Sequence, residues 1–183
     1  MKRLQRAATL VSLVESLREN GSWCGETSIQ KASFFLQELT GVPLGFEFVL
    51  YKYGPYSFDL TDELTALRAD SILTLETPDP KYGPSYLPGK MSGFVLERFP
   101  KTVNRHKAQV DFVAERLGRK GVAELERLAT ALYVQLGSTG RSSLKSRAGN
   151  LTRLKPHISK ADAEQAAREV DKMRAEAKQL FGQ

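Results

Sequence analysis

The chain has 183 residues and a formal net charge of +6, with 41% apolar and 26% charged residues. That composition suits one domain or two small ones. It excludes a disordered chain, and no apolar run approaches the ~20 residues of a membrane-spanning helix. Cys24 is the single cysteine, which excludes an intrachain disulfide and a thiolate metal cluster and makes a cytoplasmic location the default. The charge is unevenly placed: residues 1–92 carry a net −2 and residues 93–183 a net +8. An acidic partner such as nucleic acid would prefer the second half.

The basic start, Met1 to Arg6, leads into an amphipathic pattern broken by Glu15, Arg18 and Glu19, which is a helix and not a signal peptide. Leu4, Ala7, Leu10, Val11, Val14 and Leu17 recur at helical spacing over about 2–19, and Asn20-Gly21 provides a left-handed stop. A second helix is expected from Thr27, with Gln30 in capping-box spacing, to about Thr40. Its buried face would be Ile29, Ala32, Phe35, Leu36 and Leu39, with Gly41 and Pro43 ending it. A strand near 46–51 reaches the turn Tyr51-Lys52-Tyr53-Gly54-Pro55-Tyr56-Ser57. Ser57 or Asp59 then caps a third helix with Leu60, Leu64 and Leu67 on one stripe. Residues 71–76 alternate at period two as a strand does, residues 77–89 read as a long hairpin tip, and Tyr86-Leu87 and Phe94-Val95-Leu96 are candidate return strands. This order is that of a winged helix.

After Pro100 the pattern is wholly helical. Val103, His106, Val110, Val113 and Leu117 define one helix ended by Gly118, and Val122 to Leu136 a second ended by Gly137. Leu144, Ala148, Leu151 and Leu154 define a third that stops before Pro156, and Ser159 caps a last one running to Leu180. None hides its apolar stripe alone, so these helices should pack on one another and on the first helix.

Catalytic constellations are thin. His106 falls on the apolar stripe of its helix and reads as a core histidine; His157 follows Pro156 at a helix boundary and reads as a cap or surface contact. Cys24 beside Trp23 reads as a buried thiol, and the glycines form no phosphate-binding loop. No metal-ligand spacing and no cofactor motif stand out. Between Glu126 and Asp162 there is no acid, while Arg127, Arg141, Lys145, Arg147, Arg153, Lys155 and Lys160 all fall there. Such a field could hold phosphates, with the tip 137–143 presenting backbone N–H groups to an anion, or it is simply a solvated basic surface. The third helix points the other way, because Asp59, Asp62, Glu63 and Asp70 against Arg68 would repel a phosphate lattice. Tyr51, Tyr53 and Tyr56, with Tyr82 and Tyr86 in the long hairpin, fit a protein interface or the packing of the turn.

Ile29-Gln30-Lys31-Ala32-Ser33-Phe34-Phe35, Thr40-Gly41-Val42-Pro43 and Lys52-Tyr53-Gly54-Pro55 resemble, in order and spacing, the motifs of the SocA-type antitoxin (Panacea) domain and the related YwgA-like proteins. The resemblance covers roughly residues 10–75. Residues 154–159 are similar to the C-terminal part of YwgA-like members. Ala32-Ser33 departs from the paired leucines of the family, and Tyr56-Ser57 is closer to the YwgA-like branch. The resemblance implies a non-enzymatic helical or winged-helix protein that binds a partner protein, such as a toxin or effector.

These observations together predict a mainly α protein with a small β-hairpin, its winged-helix-like part (1–98) packed on a basic four-helix region (99–183), as two units or one integrated domain. The expected role is an antitoxin- or adaptor-like interaction module without catalytic residues, binding its partner through Tyr51, Lys52, Tyr53, Gly54, Pro55, Tyr56, Tyr82 and Tyr86. The alternative is a nucleic-acid-binding regulator that uses the seven cations between Arg127 and Lys160.

Overall fold

A computed structural model describes residues 1–79, 81–138 and 142–182. The chain is mainly helical, with eight helices and two small antiparallel sheets among the described residues: α1 (Arg3–Glu19), α2 (Glu26–Glu38), β1 (Val49–Tyr51), β2 (Gly54–Tyr56), α3 (Phe58–Ala69), β3 (Leu73–Glu76), β4 (Ser85–Pro88), α4 (Ser92–Arg98), α5 (Pro100–Leu117), α6 (Val122–Leu136), α7 (Leu144–Leu154) and α8 (Lys160–Phe181). No helix among them is long and apolar enough to cross a membrane.

The middle of α1 is buried almost all round, from Ala7 to Leu17, so this helix is a central strut and not a surface helix. It packs along α5 and against α4, β4 and α2. α6, α7 and α8 pack on one another, and α2 joins the two groups by touching α1, α5, α6 and β2. One buried apolar cluster runs through all of them, from Ala7 to Ala177.

Helix ends follow local chemistry. Gly21 (φ +83°) closes α1 and Gly41 (φ +71°) closes α2. Ser57 Oγ accepts from Leu60 N–H at 3.2 Å to start α3, and Ser159 Oγ accepts from Asp162 N–H at 3.1 Å to start α8. The capping box expected at Thr27 and Gln30 does not form. α2 begins two residues earlier, behind Gly25, which offers no side chain, and Gln30 is buried. Its amide exchanges two hydrogen bonds with the Ser57 backbone, donating to the carbonyl and accepting from the N–H, each 2.9 Å. A long-range partner therefore took the group that local spacing assigned to a cap.

The strand expected over 46–51 is regular only from Val49, and it pairs with β2 in its own two-stranded hairpin. β3 pairs with β4 in a separate sheet, from Leu73 opposite Pro88 to Glu76 opposite Ser85. The return strand expected at Phe94-Val95-Leu96 is instead α4. Gly89 and Met91 N–H donate to the Ile72 and Ser71 carbonyls, which turns the chain out of the sheet, and Val95 alone is then buried. Glu63, placed by the sequence among the outward acids of α3, is turned inward. It lies 3.2 Å from Arg3 and 3.1 Å from Arg6 of α1, because the α3 stripe of Leu60, Leu64 and Leu67 carries that side of the helix into the core.

Candidate functional site

The β1–β2 hairpin pairs Val49 with Tyr56, Leu50 with Pro55 and Tyr51 with Gly54, leaving Lys52-Tyr53 as its two-residue tip. Gly54 has φ +87°, a conformation open to glycine at little cost. It also lies flat on α6, where a Cβ would stand 3.0 Å from Thr130 Oγ1 and 3.5 Å from the Glu126 carbonyl.

Two buried lysines hold this hairpin from behind. Lys31 of α2 donates Nζ to the Pro55 carbonyl at 2.8 Å. Lys155, just past α7, donates Nζ to the Tyr51 carbonyl at 2.8 Å and to the Lys52 carbonyl, and it lies 3.2 Å from Glu126 Oε1. His157, largely exposed, brings Nε2 to 3.4 Å from the same carboxylate oxygen.

A turn held in this way presents its rings as a fixed surface. Tyr51 is 56% exposed, Tyr53 50% and Phe58 57%. Tyr51, Tyr56 and Phe58 form a mutual cluster with centroid separations of 5.6, 5.7 and 5.1 Å. Lys52 Nζ sits 5.4 Å over the Tyr53 ring. Tyr56 OH lies 3.0 Å from Glu26 Oε1 and 2.6 Å from Thr61 Oγ1, and burial raises its pKa. Gly54 and Pro55 are buried, so within the predicted patch they shape the turn while their neighbours form its surface.

Two depressions flank the first turn of α2 and share Glu26 and Thr27 in their walls. One, of about 220 Å³, is walled by Lys31, Tyr51, Lys52, Tyr53 and Tyr56. The other, of about 600 Å³, takes in Trp23, Arg68, Tyr82 and Tyr86. Tyr82 is 69% exposed and lies tilted against Trp23 with ring centroids 5.3 Å apart, whereas Tyr86 is buried and burial raises its pKa. The six aromatic and lysine side chains singled out from the sequence thus gather around one helix end. Lys31 and Phe58 were missed. A lysine within an amphipathic helix reads as solvent-facing, and Phe58 reads as the core side of α3. The tyrosine-rich turn two dozen residues downstream of Lys31 was the available signal for it.

The seven cations do not form one field. Arg147 is buried and pairs bidentately with Asp171, Nη1 to Oδ1 at 2.6 Å and Nη2 to Oδ2 at 2.7 Å; the salt bridge raises the arginine and lowers the carboxyl. Lys155 is buried under the hairpin. Arg127 is half-buried, Lys145, Arg153 and Lys160 are exposed, and Arg141 lies outside the described residues together with Thr139 and Gly140 of the expected tip. The acids that meet Arg147 and Lys155, Asp171 and Glu126, lie outside the acid-free interval, and folding brings them in.

His106 is buried on α5, and burial with nearby Arg105 lowers its pKa. Cys24 is buried, and burial pushes its thiol up to about 12, far from a thiolate at neutral pH. Among the described residues no group of three or more His, Cys, Asp or Glu side chains is placed to hold a metal ion. The fold and site define a mainly helical protein that carries a braced aromatic hairpin beside a helix N-terminus. No family model matches the chain, and no curated protein matches it.

Proposed function

We propose that the chain is a non-enzymatic protein-interaction module, antitoxin- or adaptor-like, that binds a partner protein through the β1–β2 hairpin and the start of α3. The observation that carries this reading is the cluster of Tyr51, Tyr56 and Phe58, with Tyr51 and Phe58 exposed, beside a hairpin whose backbone is held by Lys31 and Lys155 and whose Gly54 packs on α6. Rigid aromatic rings supply much contact area and lose little side-chain entropy on binding, which is why they dominate interface energetics. The motif resemblance to the SocA-type antitoxin and YwgA-like families supports the same role.

In this reading residues 1–98 are a winged-helix-like unit adapted to protein contact. Asp59 and Asp62 remain exposed on α3, where phosphates would be repelled. The nucleic-acid alternative is weakened because Arg147 and Lys155 are matched internally.

The test is affinity purification of the tagged chain from its own host, followed by gel filtration. The expected result is one partner retained in stoichiometric amount, and lost from the Tyr51→Ala, Phe58→Ala double variant while the melting temperature stays within about 2 °C. A folded double variant that keeps the partner would overturn the reading. So would binding of duplex DNA that weakens steeply with salt and is lost on replacing Lys145, Arg153 and Lys160 by Ala.

A further inference from the structure

Lys31 is 1% exposed, yet no carboxylate lies within 4.0 Å of its Nζ among the described residues. Its ammonium has three donors; one goes to the Pro55 carbonyl, and the others have no protein acceptor among the described residues. The nearby acid, Glu126, is already matched by Lys155 at 3.2 Å. With all three ionised, the cluster of Lys31, Lys155 and Glu126 carries a net charge of +1; Glu26, whose carboxylate accepts from the Tyr56 and Thr61 hydroxyls, is the next acid and makes no ion pair with Lys31. Burying a charge without a partner is costly, and burial lowers Lys31 to about 8; Glu126 and Glu26 oppose that shift and Lys155 adds to it.

This lysine is part of the wall of the 220 Å³ depression whose other walls are Tyr51, Lys52, Tyr53 and Tyr56. Glu26, the one acid in that wall, engages Tyr56 OH and Thr61 Oγ1, each 3.0 Å away, on α3 and its approach. At roughly 30 Å³ per water-sized group, the space exceeds what a glutamate side chain needs.

We propose that the depression receives an acidic side chain of the partner protein, whose carboxylate becomes the counter-ion of Lys31 while the tyrosine rings hold its apolar stem. This rests on the protein-binding role proposed above and names the chemistry of the partner's contact segment. The carboxylate supplies the acceptors that the ammonium lacks and cancels the unmatched charge. A partner with glutamine or leucine at that point would leave Lys31 buried and unmatched, which makes the site a selectivity device as well as an anchor. Pairing also strengthens the hold of Lys31 on its proton, so binding takes up protons wherever the free protein has Lys31 partly neutral.

The probe is a capped Ala-Glu-Phe peptide, with the Ala-Gln-Phe counterpart as isosteric control, titrated into the full chain by calorimetry at pH 8 in two buffers of different ionisation enthalpy. The expected result is a preference for the glutamate peptide of about tenfold or more, with uptake of about half a proton. Both should be lost in Lys31→Met. The proton uptake of the unsubstituted protein carries the test by itself if that variant does not fold. Equal affinity for the two peptides, no binding of either, or binding without proton uptake overturns the inference. The peptides need no knowledge of the natural partner. Equal affinities beside a partner that Tyr51→Ala with Phe58→Ala releases would sink the carboxylate and leave the protein-binding role standing. Glutamate-selective binding that the double variant leaves intact, with the partner still retained, would do the reverse.

Discussion

Lys155 donates its Nζ to the Tyr51 carbonyl at 2.8 Å, joining two positions 104 residues apart in sequence. The same ammonium lies 3.2 Å from the buried Glu126 carboxylate. The aromatic hairpin is therefore held by the end of α7, with α6 behind it. Removing one partner of a buried ion pair leaves the other charge unmatched, which is the costly event. Lys155→Met is expected to lose about 3 kcal/mol, read from the urea midpoint at unchanged slope. Adding Glu126→Gln should recover part of that loss in a double-mutant cycle. A midpoint that does not move would show that the hairpin stands without this brace.

Gly54 combines a left-handed backbone with a close approach to Thr130. Gly45 has a similar φ, +76°, with nothing within 4 Å of a Cβ built there. Both Gly→Ala variants should lose about 1 kcal/mol for the backbone. Gly54→Ala should lose more, and Gly54→Val more again, because the hairpin must lift off α6. Thermal melting of the three variants checks the order, and equal losses at the two sites would refute the contact with α6.

The folded state holds Lys31 at about 8 against an ordinary value of 10.5. Below pH 8 both states carry the proton, and the burial cost is fully present. Between about 8 and 10.5 the unfolded chain keeps the proton that the folded chain has shed. Stability should therefore rise with pH across that window, by on the order of 3 kcal/mol at most. Other groups titrate there too, so the check is the difference between the wild-type chain and Lys31→Met in denaturant midpoints at pH 7.5 and 10. Parallel curves would mean that Lys31 is not buried as a charge.

Arg147 lowers the pKa of Asp171 below its usual carboxylate value through a bidentate pair. A depressed carboxylate contributes stability above its unfolded pKa and loses it as pH falls through the folded one. Asp171→Asn should cost about 1–2 kcal/mol at neutral pH. Because Asp171 is partly exposed, part of that cost should fade in high salt. The variant should also lose less stability than the wild-type chain as pH falls below about 4. Identical acid unfolding of the two proteins would show the pair to be inert.

Much of the fold was legible because it is locally encoded. Apolar residues at helical spacing, the stops at Gly21 and Gly41 and the serine caps at Ser57 and Ser159 follow from backbone sterics and from N–H groups that need acceptors nearby in sequence. The errors arose where a distant group took a part that local spacing had assigned elsewhere. Gln30 bonds Ser57 instead of capping α2, and residues 94–96 coil into α4 once Gly89 and Met91 bond back to Ile72 and Ser71, the two residues before β3.

The candidate site divides the same way. The sequence by itself determined that a tyrosine-rich turn would break at Gly54-Pro55, since proline fixes its own φ and glycine alone adopts a left-handed angle at little cost. It also determined that positive charge would be concentrated in the second half. Only the tertiary structure decided which charges act together. Arg147 and Lys155 vanish from the basic field because Asp171 and Glu126 reach them from other helices, and Lys31 becomes a buried cation because α6 and the hairpin close over it. Coulomb energy depends on distance and on exclusion of water, and both are set by packing that sequence separation does not reveal.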